Sequence, residues 1–345
     1  MTRLAALGAE LDTPLLVTNL VNVEYLCGFE SSNAALLVQP GGETTLYTDF
    51  RYAESASAVP DVELKVVKRA ILKALGEELT GRLQFEADVL PYLEWERLSA
   101  GGADLVPTAG IVEQFRAVKD EEEIARIGRA ARVADRALEA LTAETWVGRT
   151  EREIAWRLQE LVHAHGGDSL SFETIVVSGP NGALPHGNPS ERIVDRGTLV
   201  TVDWGVRLNG YCSDCTRTFS TGSLPEQLRT AFDVCLAAQK KACAEIKPGM
   251  TGVDADAIAR DEIEAAGFGA NFGHGLGHGV GMMVHEAPRL STESTDTLAV
   301  GNIVTVEPGI YLPGLGGCRV EDLAVVREDG LQLLTSFPKE LIEVG

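Results

Sequence analysis

Cysteine is scarce. Six thiols in 345 residues, Cys27, Cys212, Cys215, Cys235, Cys243 and Cys318, are too thinly spread for a disulfide scaffold, so reduced thiols are expected. Long apolar runs are missing too: nothing approaches the roughly 18 consecutive apolar residues of a membrane span. In residues 1–16, Glu10 and Asp12 interrupt a short apolar patch before a signal-peptide core is reached. The expectation is a cytoplasmic protein with no membrane partner. Positive charge is in short supply, with 30 Lys and Arg against 51 Asp and Glu, a net charge of −21 that repels a phosphate backbone. Nucleic acid is therefore excluded as a partner. Disorder and fibrous repeats are excluded by an ordinary globular balance of 45% hydrophobic and 23% charged residues.

At about 150 residues per domain, this length suggests two domains. Breakers cluster at Gly101, Gly102, Pro107 and Gly110, and a boundary is placed near residue 117, dividing the chain into 1–117 and 118–345. In the first part, an apolar run at 34–38, the turn residues Pro40, Gly41 and Gly42, and a second run at 44–47 read as a hairpin. From Lys119 onward, Ile124, Ile127, Ala131, Ala134, Leu138 and Leu141 recur at steps of three and four, the spacing of one helical face. Acidic residues 120–123 suit its first turn. Further helices are expected at 151–165, 225–245 and 252–266, and strands at 173–178 and 198–207. A glycine-rich, strand-like stretch then runs to about 327, giving a mixed α and β architecture.

Three stretches carry chemistry. In TVDWGVRLNGYCSDCTRTFS, Asn209-Gly210 is a two-residue hairpin loop that pairs Leu208 with Tyr211 and hence Asp203 with Thr216. Period-two alternation then puts Asp214 on the face of Asp203. Like charges so close raise one another's pKa unless a cation lies between them; two solvated acids on an outer face is the plain alternative. The CxxC formed by Cys212 and Cys215 has no second half and reads as incidental. In NFGHGLGHGVGMMVHEAP, glycine at every other position from 273 to 281 argues for extended backbone in a crowded place. His274 and His278 would share a face about 13 Å apart on a straight strand at about 3.3 Å per residue, too far to share one ion. His285 would point the other way unless the strand bends at a glycine or bulge. Third, Glu307 in NIVTVEPG and Glu321 in GCRVEDLAVV are acids on apolar strands and need partners. For Glu321, an ion pair with Arg319 is the structural alternative.

Asp203, Asp214, His278, Glu307 and Glu321 thus offer four carboxylates and one imidazole, and their charge of −4 matches two divalent cations. Oxygen-rich ligation without sulfur suits Mn2+ or Co2+ better than a structural zinc. Two such cations about 3.5–4 Å apart lower the pKa of a bridging water and polarise a carbonyl.

These residues bring a family into view. NVEYLCGF and YTDFRY resemble the amino-terminal domain, and FRAVKDEEEI the start of the catalytic domain, of the metal-dependent pita-bread peptidases, in particular their Xaa-Pro dipeptidase (prolidase) and Xaa-Pro aminopeptidase branch. DWG, YCSDCTRT, HGLGHGVG with VHEAP, VEPGIY and GCRVED resemble its catalytic blocks in order, so the resemblance spans essentially the whole chain. Trp204, Cys215 and Cys318 stand where relatives often carry other apolar residues. The resemblance implies an α+β fold: a smaller N-terminal mixed α/β, creatinase-like domain for substrate shaping and dimerisation, then a pita-bread catalytic domain with a curved antiparallel sheet covered by helices.

It also implies that Asp203, Asp214, His278, Glu307 and Glu321 ligate two divalent metal ions, Mn2+ in first place with Co2+ or Zn2+ as alternatives, and that Asp214 and Glu321 bridge them. His186, in LPHGNPS, and His285 are implied to contact the scissile bond, with Glu307 carrying the proton to the leaving group. His274 lines the substrate pocket, with Arg319 as a further substrate-binding candidate. The implied partner is a small peptide with proline at its second position, and the implied assembly a homodimer. The expected activity is hydrolysis of Xaa-Pro dipeptides; the alternative is an Xaa-Pro aminopeptidase acting on longer Xaa-Pro-Yaa peptides. Arg51 is the candidate for a dipeptide's carboxylate, against a plain role as partner of Asp49. A methionine aminopeptidase would share the five ligands, but the long preceding domain and the VHEAP block favour the proline branch. A non-catalytic binding module is disfavoured by the intact ligand set.

Overall fold

The computed structural model describes residues 2–345 and divides after Arg116 into two compact units. In the first, a mixed six-stranded sheet runs in the order Glu63–Val67, Thr44–Asp49, Ala34–Val38, Leu15–Val17, Thr80–Glu86, Gly102–Thr108. The expected hairpin pairs Ala34–Val38 antiparallel with Thr44–Asp49. Its inner strand is buried at every position, as a strand covered on both faces must be. Leu16, Leu37, Tyr47, Leu75, Phe85 and Leu98 join the sheet to its helices in one core.

In the second unit all pairings between its strands are antiparallel. They form four short sheets rather than one continuous one. The long helix spans Glu121–Thr142, capped by Asp120 and Glu123 in a reciprocal capping box, and all six apolar positions read from its sequence are buried. The helix Glu151–Ala164 has the same device in Thr150 and Glu153. These two helices pack on one apolar cluster with Val200, Val202 and Trp204. The helices Glu226–Glu245 and Gly252–Ala265 pack on another with Val304, Val306 and Val320.

Alternation along the strand Leu199–Trp204 positions the site. Val200, Val202 and Trp204 enter the first helix-covered core, and Trp204 Nε1 donates to the Ala134 carbonyl at 3.1 Å. Thr201 and Asp203 point the other way, and Thr201 meets Thr218 across the ladder, hydroxyl to hydroxyl at 3.2 Å. Burying side chains of that size contributes roughly 1.5–3 kcal/mol each, which fixes which face is polar. Among the described residues, no helix is long and apolar enough to cross a membrane.

Candidate metal centre

The Asn209-Gly210 turn has positive φ at both residues, 50° and 82°, the conformation a two-residue hairpin needs. Leu208 pairs with Tyr211 and Asp203 with Thr216, as the loop length requires. Between these pairs the ladder breaks: Asp214 lies outside both strands, in a segment packed so closely that a Cβ on Gly205 would come within 2.1 Å of the Ser213 carbonyl oxygen. The break still delivers Asp214 to the face of Asp203. Glu321 reaches the same point from the start of the strand Asp322–Arg327, its N–H donating to the Thr216 carbonyl at 3.1 Å. One carboxylate oxygen from each of Asp203, Asp214 and Glu321 lies within 4.8 Å of the others.

His278 sits on the short strand Gly277–Gly279, with Nε2 at 3.2 Å from Glu307 Oε1 and 3.6 Å from Asp214 Oδ2. Thr305 orients both partners, accepting from His278 N–H at 3.0 Å and donating to Glu307 Oε1 at 2.9 Å. The glycines here are steric necessities: a Cβ on Gly277 would lie 2.1 Å from the Thr305 carbonyl oxygen, and one on Gly279 2.2 Å from that of Ala287. A register shift between His278 and Gly279 bends the pairing, so His285 comes back beside His278 with ring centroids 4.4 Å apart. The straight-strand spacing of His274 and His278 does not apply, because the strand begins only at Gly277. His274 instead places Nε2 2.9 Å from the Tyr311 hydroxyl.

Arg319 is buried and does not pair with Glu321. Its Nη2 donates to Asp203 Oδ2 at 2.7 Å, Nε to Thr216 Oγ1 at 3.0 Å, and Nη1 to the Tyr311 hydroxyl at 2.8 Å and the Pro185 carbonyl at 3.1 Å. Most of its donors are therefore committed inside the protein. The next residue after Pro185 is His186, which is exposed. In the first unit, Arg51 forms a two-pronged pair with Asp49, Nε to Oδ1 at 2.8 Å and Nη2 to Oδ2 at 2.7 Å. The CxxC thiols part company: Cys212 donates to the Met282 carbonyl and Cys215 to that of Glu321. All six cysteines are free. Thr216 and Tyr311 were not singled out from sequence; the hairpin register already placed Thr216 opposite Asp203, and Tyr311 closes the VEPGIY block without having been assigned a role.

The electrostatics describe a site short of positive charge. Burial, then repulsion from Glu321 and Asp203, pushes Asp214 well above the usual carboxylate range. Glu321 is pushed up likewise by burial and by Glu307 and Asp203, and Asp203 is raised mainly by burial despite Arg319. Burial also acts to raise Glu307, but the hydrogen bond and charge of His278, with Arg319, outweigh it and hold Glu307 down at about 2. Burial would depress His278; Glu307 overcomes it and raises the imidazole. His274 and His285 are both lowered, by burial first. Two buried carboxylate oxygens, Asp203 Oδ1 and Glu321 Oε1, have no hydrogen-bond partner. Orphaned acceptors inside an acidic cluster fit hard divalent cations with oxygen ligands.

Comparison with known proteins agrees with this chemistry. Residues 125–328 match metallopeptidase family M24, and residues 4–118 match the creatinase/prolidase N-terminal domain. An Xaa-Pro dipeptidase of Pyrococcus furiosus is 36% identical over 330 residues, covering 93% of each chain. Among solved structures, an Xaa-Pro dipeptidase from Bacillus anthracis superposes with a TM-score of 0.94 at 36% identity over 99% of this chain and 98% of that one. An X-Pro aminopeptidase from Thermotoga maritima superposes at 0.88 and 33%, over 96% and 97%. The acidic cluster, its orphaned oxygens and these matches lead to one conclusion: the chain belongs to metallopeptidase family M24, its catalytic region preceded by a creatinase/prolidase N-terminal domain.

Proposed function

We propose that this protein is a dinuclear-metal exopeptidase that hydrolyses the peptide bond before proline, with Xaa-Pro dipeptides as its substrates. The observation that carries the proposal is the convergence of Asp203, Asp214 and Glu321 within 4.8 Å, two of their oxygens unpartnered. His278 and Glu307, hydrogen-bonded to each other beside Asp214, complete the set of residues that would hold the ions. When bound, two divalent cations, Mn2+ by preference over Co2+ or Zn2+, supply a water of low pKa and polarise the substrate carbonyl.

The chain's own groups supply the rest. Glu307, ionised in the resting site, takes a proton from the attacking water at its carboxylate and delivers it to the proline nitrogen as the carbonyl carbon–nitrogen bond breaks. That nitrogen carries no hydrogen in the peptide and must gain one as it leaves. His285, exposed beside His278, donates to the developing oxyanion. His186 positions the substrate at the scissile bond, and His274, held by Tyr311, lines the pocket. Arg319 keeps Asp203 oriented and has an Nη2 hydrogen left to offer a substrate. For residues 1–117 the proposed roles are substrate shaping and support of a homodimer, with Arg51 as candidate for the substrate carboxylate. The proposed location is the cytoplasm.

The Xaa-Pro dipeptidase relatives favour the dipeptidase reading over an Xaa-Pro aminopeptidase acting on Xaa-Pro-Yaa, which the Thermotoga maritima structure keeps as the second reading. Hydrolysis of Xaa-Pro and Xaa-Pro-Yaa peptides is compared after loading with Mn2+, Co2+ or Zn2+. Rapid cleavage of the dipeptide alone is expected. Equal efficiency on the tripeptide would transfer the assignment to the aminopeptidase, and inertness toward both with every metal would refute it.

A further inference from the structure

Glu151 opens the helix Glu151–Ala164, is fully buried, and plays no part in the chemistry above. Its carboxylate is nonetheless saturated. Oε1 accepts from Ser178 N–H at 2.6 Å and Ser178 Oγ at 2.9 Å; Oε2 accepts from Ser190 N–H at 3.1 Å, Ser190 Oγ at 2.6 Å and Asn181 Nδ2 at 3.0 Å. Every one of these donors is neutral. Several fixed dipoles converge on this one buried carboxylate, and they all come from one short stretch of chain.

That stretch is the loop carrying His186. Ser178 ends the strand Ile175–Ser178, and Ser190 lies twelve residues on (190 − 178), so one carboxylate ties the two feet of the loop together. Between its feet the loop leans on the strand Gly316–Arg319. A Cβ on Gly317 would come within 2.2 Å of the Gly182 carbonyl oxygen, and Pro185 accepts from Arg319 Nη1 at 3.1 Å. His186 itself is exposed, so its side chain is not packed in place and its location depends on the loop beneath it.

We infer that Glu151 is the positioning residue for His186: a buried carboxylate that clamps both feet of loop 179–190 and thereby sets where that imidazole meets the substrate. The inference rests on the assignment of His186 to the scissile bond. A glutamine in place of Glu151 keeps the shape but turns an NH2 group toward donors on one side, so it loosens one foot of the loop.

The test is Glu151→Gln alone and in a His186→Ala background, with metal content, kcat, KM and hydrogen exchange measured on the full-length metal-loaded enzyme. Glu151→Gln is expected to keep its metal and lower kcat about 10- to 100-fold, with KM changed less than about threefold. In the His186→Ala background the same substitution should cost less than about threefold, and exchange should quicken in 179–190 but not in 199–220. Should Glu151→Gln fold poorly, Ser190→Ala removes the hydroxyl that donates to Oε2, loosens the Ser190 foot and is expected to act in the same direction. Wild-type kcat in Glu151→Gln, an equal loss in the His186→Ala background, or unchanged exchange in 179–190 would overturn the inference. A His186→Ala enzyme with wild-type turnover would remove His186 from the chemistry and sink the inference's catalytic half. Localised exchange in Glu151→Gln would then still identify the clamp.

Discussion

Replacing Asp214 by asparagine should reverse its effect on stability according to whether metal is present. In the metal-free protein Asp214 is buried against Asp203 and Glu321, with ligand oxygens no more than 4.8 Å apart, where two like charges repel by about 3.5 kcal/mol at an effective dielectric near 20. Asparagine is isosteric and uncharged, so it removes both of Asp214's repulsions. Part of that energy is already relieved because the cluster takes up a proton, as the raised carboxylates indicate. A net gain of about 2–4 kcal/mol remains, worth roughly 5–12 °C for a unit of this size. Saturating metal should invert the order. Two ions, each at about 1,000 times its Kd, contribute about 8 kcal/mol to the wild type, and asparagine forfeits most of it together with turnover. Calorimetry at pH 8, first in chelator and then in excess Mn2+, reads both halves. If the metal-free Asp214→Asn protein melts at or below the wild type, or if both proteins gain equally from Mn2+, the three carboxylates do not form the strained, cation-seeking cluster described.

Gly277→Ala places a methyl 2.1 Å from the Thr305 carbonyl oxygen, so the strand carrying His278 must shift. Overpacking of that kind costs roughly 1–3 kcal/mol, and a lower melting temperature with weaker metal retention is expected by calorimetry and metal analysis. The metal-free protein should also lose stability as pH rises. Asp214 and Glu321 have folded-state pKa values above their unfolded ones, so their contribution is present below about pH 4 and is lost as pH climbs through the raised values. Glu307, held at about 2, has the opposite sign: its contribution is present above its unfolded value and fades as pH falls toward 2. Because cations compete with protons for these groups, Mn2+ affinity should rise over the range in which metal-free stability falls, as titration calorimetry at several pH values would record.

How much of this was legible depends on whether an inference was local. The pairing of Asp203 with Thr216 follows from a two-residue turn, and the long helices follow from apolar spacing and from capping residues such as Asp120 with Glu123. The alternative that paired Arg319 with Glu321 is instructive. Two residues from Glu321, Arg319 reads as a same-face partner, but the strand Gly316–Arg319 ends there and pairs with Gly309–Leu312, while Asp322–Arg327 belongs to another sheet. Period-two reasoning fails across that gap, and Arg319 turns to Asp203 instead. The approach of His285 to His278 was left conditional on a bend at a glycine or bulge, and the register shift between His278 and Gly279, set by backbone contacts at Gly279 rather than by a turn signature, supplies that bend. Glu151 gave no signal as an anchor, since its partners lie between 27 and 39 positions away.

Asp203 and Glu321 stand 118 positions apart (321 − 203), and their carboxylates meet only once the strand Cys215–Ser220 has docked beneath Glu321. Closing a span that long costs about 4 kcal/mol of chain entropy, so an unfolded or half-synthesised polypeptide holds no chelating pocket. With these side chains as the proposed ligands, ion capture would be a late event in the life of the chain, and the choice of metal would fall to the divalent ion that the finished pocket encounters and retains.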